Sequence, residues 1–240
     1  MSQNPIAPVI PWSAKISLGL LSIVSYFARG CSENIHRRIT NIIDFTTKIP
    51  TSPVRGLKLS DVTVDATRNI WFRLYVPTEH VDDTTCLPVI VYFHGGGFSY
   101  FSPESDAYDA LCRRMARNVS AVVVSVNYRR TPEYRCPAQY DDGFDVLKFI
   151  DRGGIEGFPK NADISKCFLV GDSAGGNIAH NVARRYAEND TEFSDLKGVG
   201  LILIQPFFGG EERTDAEIRL QWAPLLSTET TDWHWKVFAP

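Results

Sequence analysis

The sequence predicts an α/β fold, in which a mostly parallel sheet is covered by helices on both faces. Continuous apolar runs at 87–93, 121–126 and 198–204 have the composition of strands buried on both sides. Stretches of helical periodicity separate these runs, and strands that alternate with helices form parallel sheets. An alternating pair at 59–65 and 70–76 comes first and predicts an antiparallel hairpin.

The remaining elements follow from the same patterns. A sixth strand is predicted at 166–170, directly ahead of a helix at 173–189. Helices are also expected at about 104–118 and 138–151, and a short helix before Gln221. The sequence predicts no further strand after the Trp-rich segment at 233–235.

The composition is that of an ordinary globular protein. The chain has 240 residues, 44% of them hydrophobic, and 25 basic against 28 acidic residues give a net charge of −3. This apolar content excludes disorder for most of the chain, and the weak negative charge argues against nucleic-acid binding. The five cysteines form no CxxC pair, so neither a zinc site nor a disulfide framework is indicated. We expect a reducing compartment.

The N-terminal apolar segment at 16–27 is too short to span a bilayer, which needs about 20 apolar residues. It also makes a poor signal peptide, since Lys15 is the only basic residue before it. We interpret it as an amphipathic helix within a helical cap segment at 1–55, which precedes an α/β core at 56–240. We expect the cytoplasm, with the nucleus open as a second location, rather than secretion or a membrane.

A G-x-S-x-G motif lies between the predicted strand and helix. It reads Gly171-Asp172-Ser173-Ala174-Gly175, and a strand before it and a helix after it are the context of a nucleophile elbow. In such an elbow a tight turn lifts the serine hydroxyl above the sheet, and the start of the helix faces developing negative charge. Ser173 is therefore the candidate nucleophile; the alternative is a merely tight, Gly-rich turn.

A second motif, His94-Gly95-Gly96-Gly97, follows another buried strand. This HGGG pattern supplies oxyanion-hole amides in lipases and esterases, because glycines let the backbone turn several N–H groups toward one point. We expect donors at Gly96, Gly97 and Ala174, with Gly95 as a further candidate. Taken alone, the motif is equally compatible with a flexible loop.

Four motifs in order resemble a known family. They are HGGGFS at 94–99, SVNYRR at 125–130, PAQYDDGF at 137–144 and GDSAGGNIAH at 171–180. Together they resemble the plant carboxylesterases of the hormone-sensitive-lipase-like group of α/β-hydrolases. The resemblance implies an α/β-hydrolase fold with an N-terminal cap and serine-esterase activity through an acyl-enzyme, with Ser173 as nucleophile. We interpret His94 and Asp172 as orienting residues.

The gibberellin receptor resembles the same family but binds a hormone instead of hydrolysing an ester. It typically has serine as the third residue after the histidine and reads GDSSGG at the elbow. This chain has Gly97 and Ala174 at these positions, which favours the esterase.

No general base is apparent after Ser173, although a serine hydrolase needs a histidine and an acid to orient it. His180 is seven residues along the same helix, about 10 Å from Ser173 along its axis, and His234 lies in a Trp-rich segment. In the family, the acid and the histidine follow two further strands. We interpret the chain as a fragment, the alternative being a short form without turnover, and expect 199–204 to be an exposed apolar edge.

Three function classes remain open from the sequence. The first is a carboxylic-ester hydrolase, the second a small-molecule receptor on the same scaffold, and the third an acyl-transfer or lyase-like enzyme that reuses the site. Phe98, Ser99 and Tyr100 are expected to line the pocket, which suggests an apolar or aromatic ester. No metal ligand set or phosphate-binding loop is apparent, so no cofactor is implied, and the oligomeric state is left open.

Overall fold

The computed structural model describes residues 11–29, 35–78, 86–197, 200–209, 212–223 and 226–239. The chain divides into two compact units. One comprises residues 1–43 and 211–233, and the other comprises residues 44–210 and 234–240. We refer to them as the helical unit and the sheet unit.

The described elements alternate largely as the sequence predicts. The strands are β1 (Leu57–Asp65), β2 (Ile70–Pro77), β3 (Leu87–Phe93), β4 (Val122–Asn127), β5 (Ala162–Asp172) and β6 (Gly200–Ile204). The α-helices are α1 (Trp12–Arg29), α2 (Arg37–Ile43), α3 (Asp106–Asn118), α4 (Ala138–Arg152), α5 (Ala174–Glu188), α6 (Asp215–Arg219) and α7 (Thr228–Phe238). A 3₁₀ turn at Asp190–Glu192 follows α5.

The six strands form one sheet in the order β1-β2-β4-β3-β5-β6. The first two strands are an antiparallel hairpin, and β2 also pairs antiparallel with β4. The pairs β4–β3, β3–β5 and β5–β6 are parallel. The predicted α/β fold, with its antiparallel hairpin and mostly parallel sheet, is confirmed. The main difference from the expected boundaries is β5, which begins at Ala162 rather than near 166 and reaches the edge of the G-x-S-x-G motif.

Both faces of the central strands are buried, which explains their continuous apolar runs. In β3, Val89 and Val91 pack into one core cluster with Ile178 of α5, while Tyr92 packs into a second cluster with Cys112 of α3. Successive side chains of a strand point to opposite faces. Helices α4 and α5 therefore cover one face of the sheet, and α3 covers the other.

Strand β6 has a different environment. Leu201, Ile202 and Ile204 are 40%, 49% and 42% exposed although all three are apolar. Among the described residues β6 pairs only with β5, so it is an edge of the sheet. This agrees with the apolar edge expected at 199–204, of which residue 199 lies outside the described residues.

The helical unit contains α1, α2, α6 and the first half of α7. Helix α1 spans the predicted N-terminal apolar segment and extends it at both ends. A capping box begins α6, where Thr214 Oγ1 accepts from the Glu217 amide and the Glu217 carboxylate accepts from the Thr214 amide. None of the helices in the described parts of the chain is both long enough and apolar enough to cross a membrane.

Candidate active site

Ser173 lies at the bend between β5 and α5. Asp172 is the last residue of the strand and Ala174 is the first of the helix. Ser173 has φ +50° and ψ −120°, a backbone conformation that costs a non-glycine residue about 1–3 kcal/mol. Backbone bonds hold the bend: the Ser173 amide donates to Ile204 O at 2.9 Å, and its carbonyl accepts from the Phe207 amide at 2.8 Å.

The elbow packs directly against the end of β3, where the HGGG motif begins. Phe93 is the register partner of Gly171 across the parallel pair. A Cβ atom added at Gly175 would lie 2.0 Å from Phe93 O and 2.6 Å from His94 O. Only glycine permits this approach, and the HGGG loop and the serine bend are therefore neighbours.

Asp172 joins the two motifs through its carboxylate. Oδ1 accepts from the Gly95 amide at 2.9 Å and from Tyr92 OH at 2.6 Å, and Oδ2 accepts from Tyr108 OH at 3.0 Å. Burial, followed by the nearby Asp172 charge, raises the pKa values of Tyr92 and Tyr108 well above the usual tyrosine range. Both phenols therefore stay protonated and act as donors to the carboxylate.

This arrangement changes the expectation for Gly95. Its amide faces two acceptors, Asp172 Oδ1 and Tyr108 OH at 3.0 Å, and is therefore not free to stabilise an oxyanion. Among the described residues, the amides of Gly96 and Gly97 have no protein acceptor. Gly95 thus anchors the loop, and the candidate oxyanion donors of the loop are the amides of Gly96 and Gly97.

Gly96 has a conformation that requires glycine. Its φ is +107°, and a Cβ added there would lie 2.6 Å from Tyr100 O. The amides of Ser99 and Tyr100 donate to Gly96 O at 3.0 and 2.9 Å, which closes a tight turn. Across the bend, Ala174 is in the first turn of α5, where helix amides have no intrahelical acceptor.

His94 is completely buried and holds the base of the loop. Its Nδ1 is 2.8 Å from Gly95 O, so in the neutral ring the proton is on Nδ1. The ring stacks on Tyr128 at 4.3 Å between centroids, and Tyr128 OH donates to His94 O at 2.8 Å. Burial lowers the pKa of His94 to about 3, so the ring is neutral at physiological pH.

The three residues expected to line a pocket have different environments. Phe98 is fully buried and stacks on Phe238 at 3.7 Å between ring centroids, so it belongs to the core. Ser99 is also fully buried, with its Oγ 2.7 Å from Thr131 Oγ1. Tyr100 is partly exposed and is the one of the three that an entering molecule can reach. Phe98 has a positive φ of +62°, and its ring contacts Phe207, Trp235 and Phe238 in the interior rather than the surface of a pocket.

His234 is a residue near the loop that the sequence did not assign to it. It is only 7% exposed, and its ring lies where a Gly97 side chain would be, 2.6 Å from an added Cβ. The ring meets Tyr100 edge-on at 5.6 Å, and Nδ1 is 3.5 Å from Ser99 Oγ. The spacing of His234 to the buried Val237 and Phe238, three and four residues on, is the helical signal that would have placed it inside.

The described residues contain no histidine hydrogen-bonded to Ser173. His180 lies farther along α5, with its ring edge-on to Phe208 at 5.3 Å. His94 and His234 both contact the HGGG loop, at its base and at Gly97. A candidate nucleophile and candidate oxyanion donors are therefore present together, and a general base is not seen beside them in this part of the chain.

Cysteines and possible metal ligands are the other chemically active groups in the described residues. No group of three or more His, Cys, Asp or Glu side chains there could hold a metal ion. The thiols of Cys86, Cys112, Cys136 and Cys167 are free, and Cys31 lies outside the described residues. Burial raises the pKa of both Cys112 and Cys167 to about 12, which makes these thiols poor nucleophiles.

Comparisons with known proteins agree with this geometry. The alpha/beta hydrolase fold family model matches residues 90–240. The gibberellin receptor GID1C of Arabidopsis thaliana is 37% identical over 97% of this chain and 69% of its own length. Carboxylesterase 20 of the same plant is 40% identical over 79% of this chain, and the match spans 59% of the relative's length.

Among solved structures, a hyperthermophilic esterase from the archaeon Pyrobaculum calidifontis superposes with a TM-score of 0.74 and 27% identity. This match covers 98% of the chain and 72% of the archaeal esterase. The chain therefore belongs to the alpha/beta hydrolase family, within the hormone-sensitive-lipase-like group that includes plant carboxylesterases and gibberellin receptors.

Proposed function

We propose that Ser173 is the nucleophile of a carboxylic-ester hydrolase. The observation that carries this proposal is the position of Ser173 at a positive-φ bend that is tied to the HGGG loop through Asp172 and Gly95. A residue that is held in an energetically costly backbone conformation by hydrogen bonds to its amide and its carbonyl is typical of a functional site. The similarity to carboxylesterases and to a thermophilic esterase supports the same activity.

In the proposed reaction, Ser173 Oγ attacks the carbonyl carbon of an ester while its proton passes to a base. The carbonyl oxygen gains a negative charge, which the amides of Gly96, Gly97 and Ala174 stabilise. Collapse of the tetrahedral intermediate breaks the bond to the alcohol, which leaves with a proton. Water then adds to the acyl-serine, and loss of the acid restores the Ser173 hydroxyl.

His94 and Asp172 act as positioning residues in this proposal. The neutral ring of His94 bonds to Gly95 O, and Asp172 bonds to Gly95 N, so both sides of one glycine are fixed. With Gly95 fixed, the orientation of the next two amides is set before an ester binds. Such preorganised donors avoid reorganisation during the reaction and are commonly worth about 3–4 kcal/mol in the transition state.

Among the described residues no histidine is hydrogen-bonded to Ser173, so the proposal assigns no general base. Without a base, the described site can form an acyl-serine slowly and hydrolyse it more slowly still, because both steps need proton transfer. With no base assigned, we expect acylation of Ser173 to be faster than hydrolysis of the acyl-serine.

Acetylation by p-nitrophenyl acetate tests the proposal. The modified residue is identified by peptide mass spectrometry in the unaltered chain, in Ser173→Ala and in Ser194→Ala, which removes an exposed serine as a matched control. The expected result is one acetylated peptide containing Ser173, lost only in Ser173→Ala. Equal acetylation in all three chains, confined to lysines or other serines, would contradict the proposal.

A second candidate function is reversible binding of a small molecule. Its support is the match to gibberellin receptor GID1C, which covers 97% of the chain including its N-terminal segment, whereas the match to carboxylesterase 20 covers 79%. Calorimetric titration of the Ser173→Ala chain with a gibberellin separates the two functions, since binding by a receptor does not need the nucleophile. Saturable binding together with an unreactive Ser173 would favour the receptor.

A further inference from the structure

The helical unit contains a cavity of its own, formed where α1 faces the segment that leads into α7. Its volume is about 270 Å³, close to the lower end of small-molecule sites. Hydroxyl-bearing side chains of Ser22, Ser25 and Thr230 contribute to its wall, together with Arg29 and Glu229. All the lining residues belong to the same compact unit.

Arg29 is the unusual member of this lining. It is 9% exposed, so nine-tenths of a permanently charged side chain is removed from water. Its contacts are one hydrogen bond from Nε to Ser25 O at 3.3 Å and a cation–π contact with the Trp233 ring at 5.7 Å. Among the described residues, no carboxylate is paired with it, and its two terminal nitrogens donate to no protein acceptor.

A buried guanidinium is costly unless an anion or several acceptors satisfy it. Its two terminal nitrogens form a planar fork that matches the two oxygens of a carboxylate. From the cavity, the burial and these open donors, we propose that the helical unit binds a small organic carboxylate, with Arg29 as its anchor.

The remaining lining narrows the class of ligand. Glu229 is exposed and negative, so Arg29 and Glu229 together make the charged lining neutral. Because these two charges cancel, a dianion such as phosphate would place two uncompensated charges in the cavity, whereas a monocarboxylate places only one and matches the planar fork of Arg29. Tyr26 supplies an aromatic surface at the cavity. The ligand class is a ring-bearing monocarboxylate.

This inference does not depend on the esterase proposal. No residue of the elbow or the HGGG loop lines the cavity. The two proposals can therefore fail separately, and the carboxylate test can be carried out on a chain that also bears Ser173→Ala.

Calorimetric titration of the full chain with mandelate, mandelamide and inorganic phosphate tests the ligand class. Mandelate carries a ring, a hydroxyl and a single carboxylate, and mandelamide has the same shape without the charge. We expect saturable binding of mandelate that is about tenfold or more tighter than binding of mandelamide or phosphate. No binding of mandelate, or equal binding of mandelamide, would overturn the proposal.

Three variants locate the site. Arg29→Gln should weaken mandelate binding about tenfold or more, since it removes the charge that anchors the carboxylate. Lys15→Gln is the matched control, because it makes the same charge change on the same helix at a residue that contacts Trp12 and does not line the cavity. Lys15→Gln should leave the affinity for mandelate within about twofold of that of the unaltered chain.

Glu229→Gln gives a change of opposite sign and is at an exposed position that should not disturb folding. It should tighten mandelate binding severalfold, because the repulsion at the cavity disappears. Unchanged affinity in both Arg29→Gln and Glu229→Gln would place the ligand elsewhere and overturn the proposal. Circular dichroism of each variant confirms that the helices are retained.

Discussion

The centre and the edge of the sheet carry apolar strands of similar composition in very different surroundings. At the ends of β3 and β5, a turn, a loop and a carboxylate are joined by short hydrogen bonds and packed without space for an added methyl group. One strand further along, Leu201, Ile202 and Ile204 of β6 are exposed by 40–49%. The apolar sequence pattern of β6 resembles that of the central strands, but its side chains are much more exposed.

This difference separates the part of the sheet that forms the candidate site from the part that does not. The candidate site depends on groups that cannot move, because Gly95, Asp172 and the tyrosines around them are fixed from several sides. The side chains of the β6 edge are more exposed, and within the described parts of the chain its outer side has no partner strand, so it can pair with other chains. Substitutions in the centre should therefore have large effects on folding and reactivity, and substitutions at the edge should mainly change association.

The largest effect is expected from Gly175→Ala. The new Cβ would lie 2.0 Å from Phe93 O, and neither backbone segment can move without breaking the elbow. We expect the free energy of unfolding in urea to fall by about 3 kcal/mol or more. Gly19→Ala is the control, since nothing lies within 4 Å of a Cβ there, and it should gain up to about 1 kcal/mol from helix propensity. Similar effects of both variants would contradict the close packing of the elbow.

A smaller loss of stability is expected from Asp172→Ala, which removes the hydrogen-bond acceptor of Tyr92, Tyr108 and Gly95. Leaving these donors unsatisfied should cost about 2–3 kcal/mol in urea unfolding. Acetylation of Ser173 should also slow, because the loop amides lose their fixed orientation. Asp195→Ala should change neither the free energy of unfolding nor the acetylation rate, because Asp195 is exposed and, among the described residues, is hydrogen-bonded through its backbone amide alone. Unaltered reactivity in Asp172→Ala would show that the carboxylate does not position the loop.

The next prediction concerns the pH dependence of the free energy of unfolding and follows from the burial of His94. Burial lowers its pKa to about 3 in the folded chain, whereas the unfolded histidine takes up a proton near its ordinary pKa of about 6.5. The unfolded state therefore binds more protons below that pH, and stability falls as the pH drops, by up to about 1.4 kcal/mol per unit. His94→Asn should be less stable at neutral pH and lose less on acidification from about pH 7 to about pH 5. Equal slopes for both chains in urea titrations would show that His94 is not buried in its neutral form.

The smallest effect on stability is expected at the edge. Ile202→Lys places a charge on a half-exposed residue of β6, so the free energy of unfolding should change by less than about 1 kcal/mol. Self-association, measured by light scattering against concentration, should decrease. Leu203→Lys is the contrast, because Leu203 packs against the main core and its replacement should cost several times more. Equal destabilisation by both variants would mean that the β6 edge is covered.

Much of this contrast could be predicted from the sequence. The continuous apolar runs predict the buried strands, and the G-x-S-x-G and HGGG motifs predict the bend and the loop that Gly171 and Phe93 bring together. An exposed apolar edge at 199–204 was also among the expectations. These features depend on local patterns and on topology, which the chain displays directly.

The details of the loop could not be predicted in the same way. The bond from the Gly95 amide to Asp172, the interior position of Phe98 and the packing of His234 on Gly97 join residues that are 77 or more positions apart or depend on one positive φ. No periodicity encodes such contacts. Likewise, Arg29 looks like a helix-terminal cation in the sequence, and only the cavity shows that it is buried without a carboxylate among the described residues.

The pH dependence of Ser173 phosphonylation tests the central claim most directly. A p-nitrophenyl phosphonate ester labels reactive serines irreversibly, and intact-mass spectrometry follows the adduct over time. A bend that presents Ser173 to the oxyanion amides without a histidine base should give one adduct per chain, absent in Ser173→Ala, with a rate that rises steadily with pH. No adduct at Ser173 at any pH would contradict its role as nucleophile, and a plateau above about pH 7 would show that a histidine of this chain acts as its base.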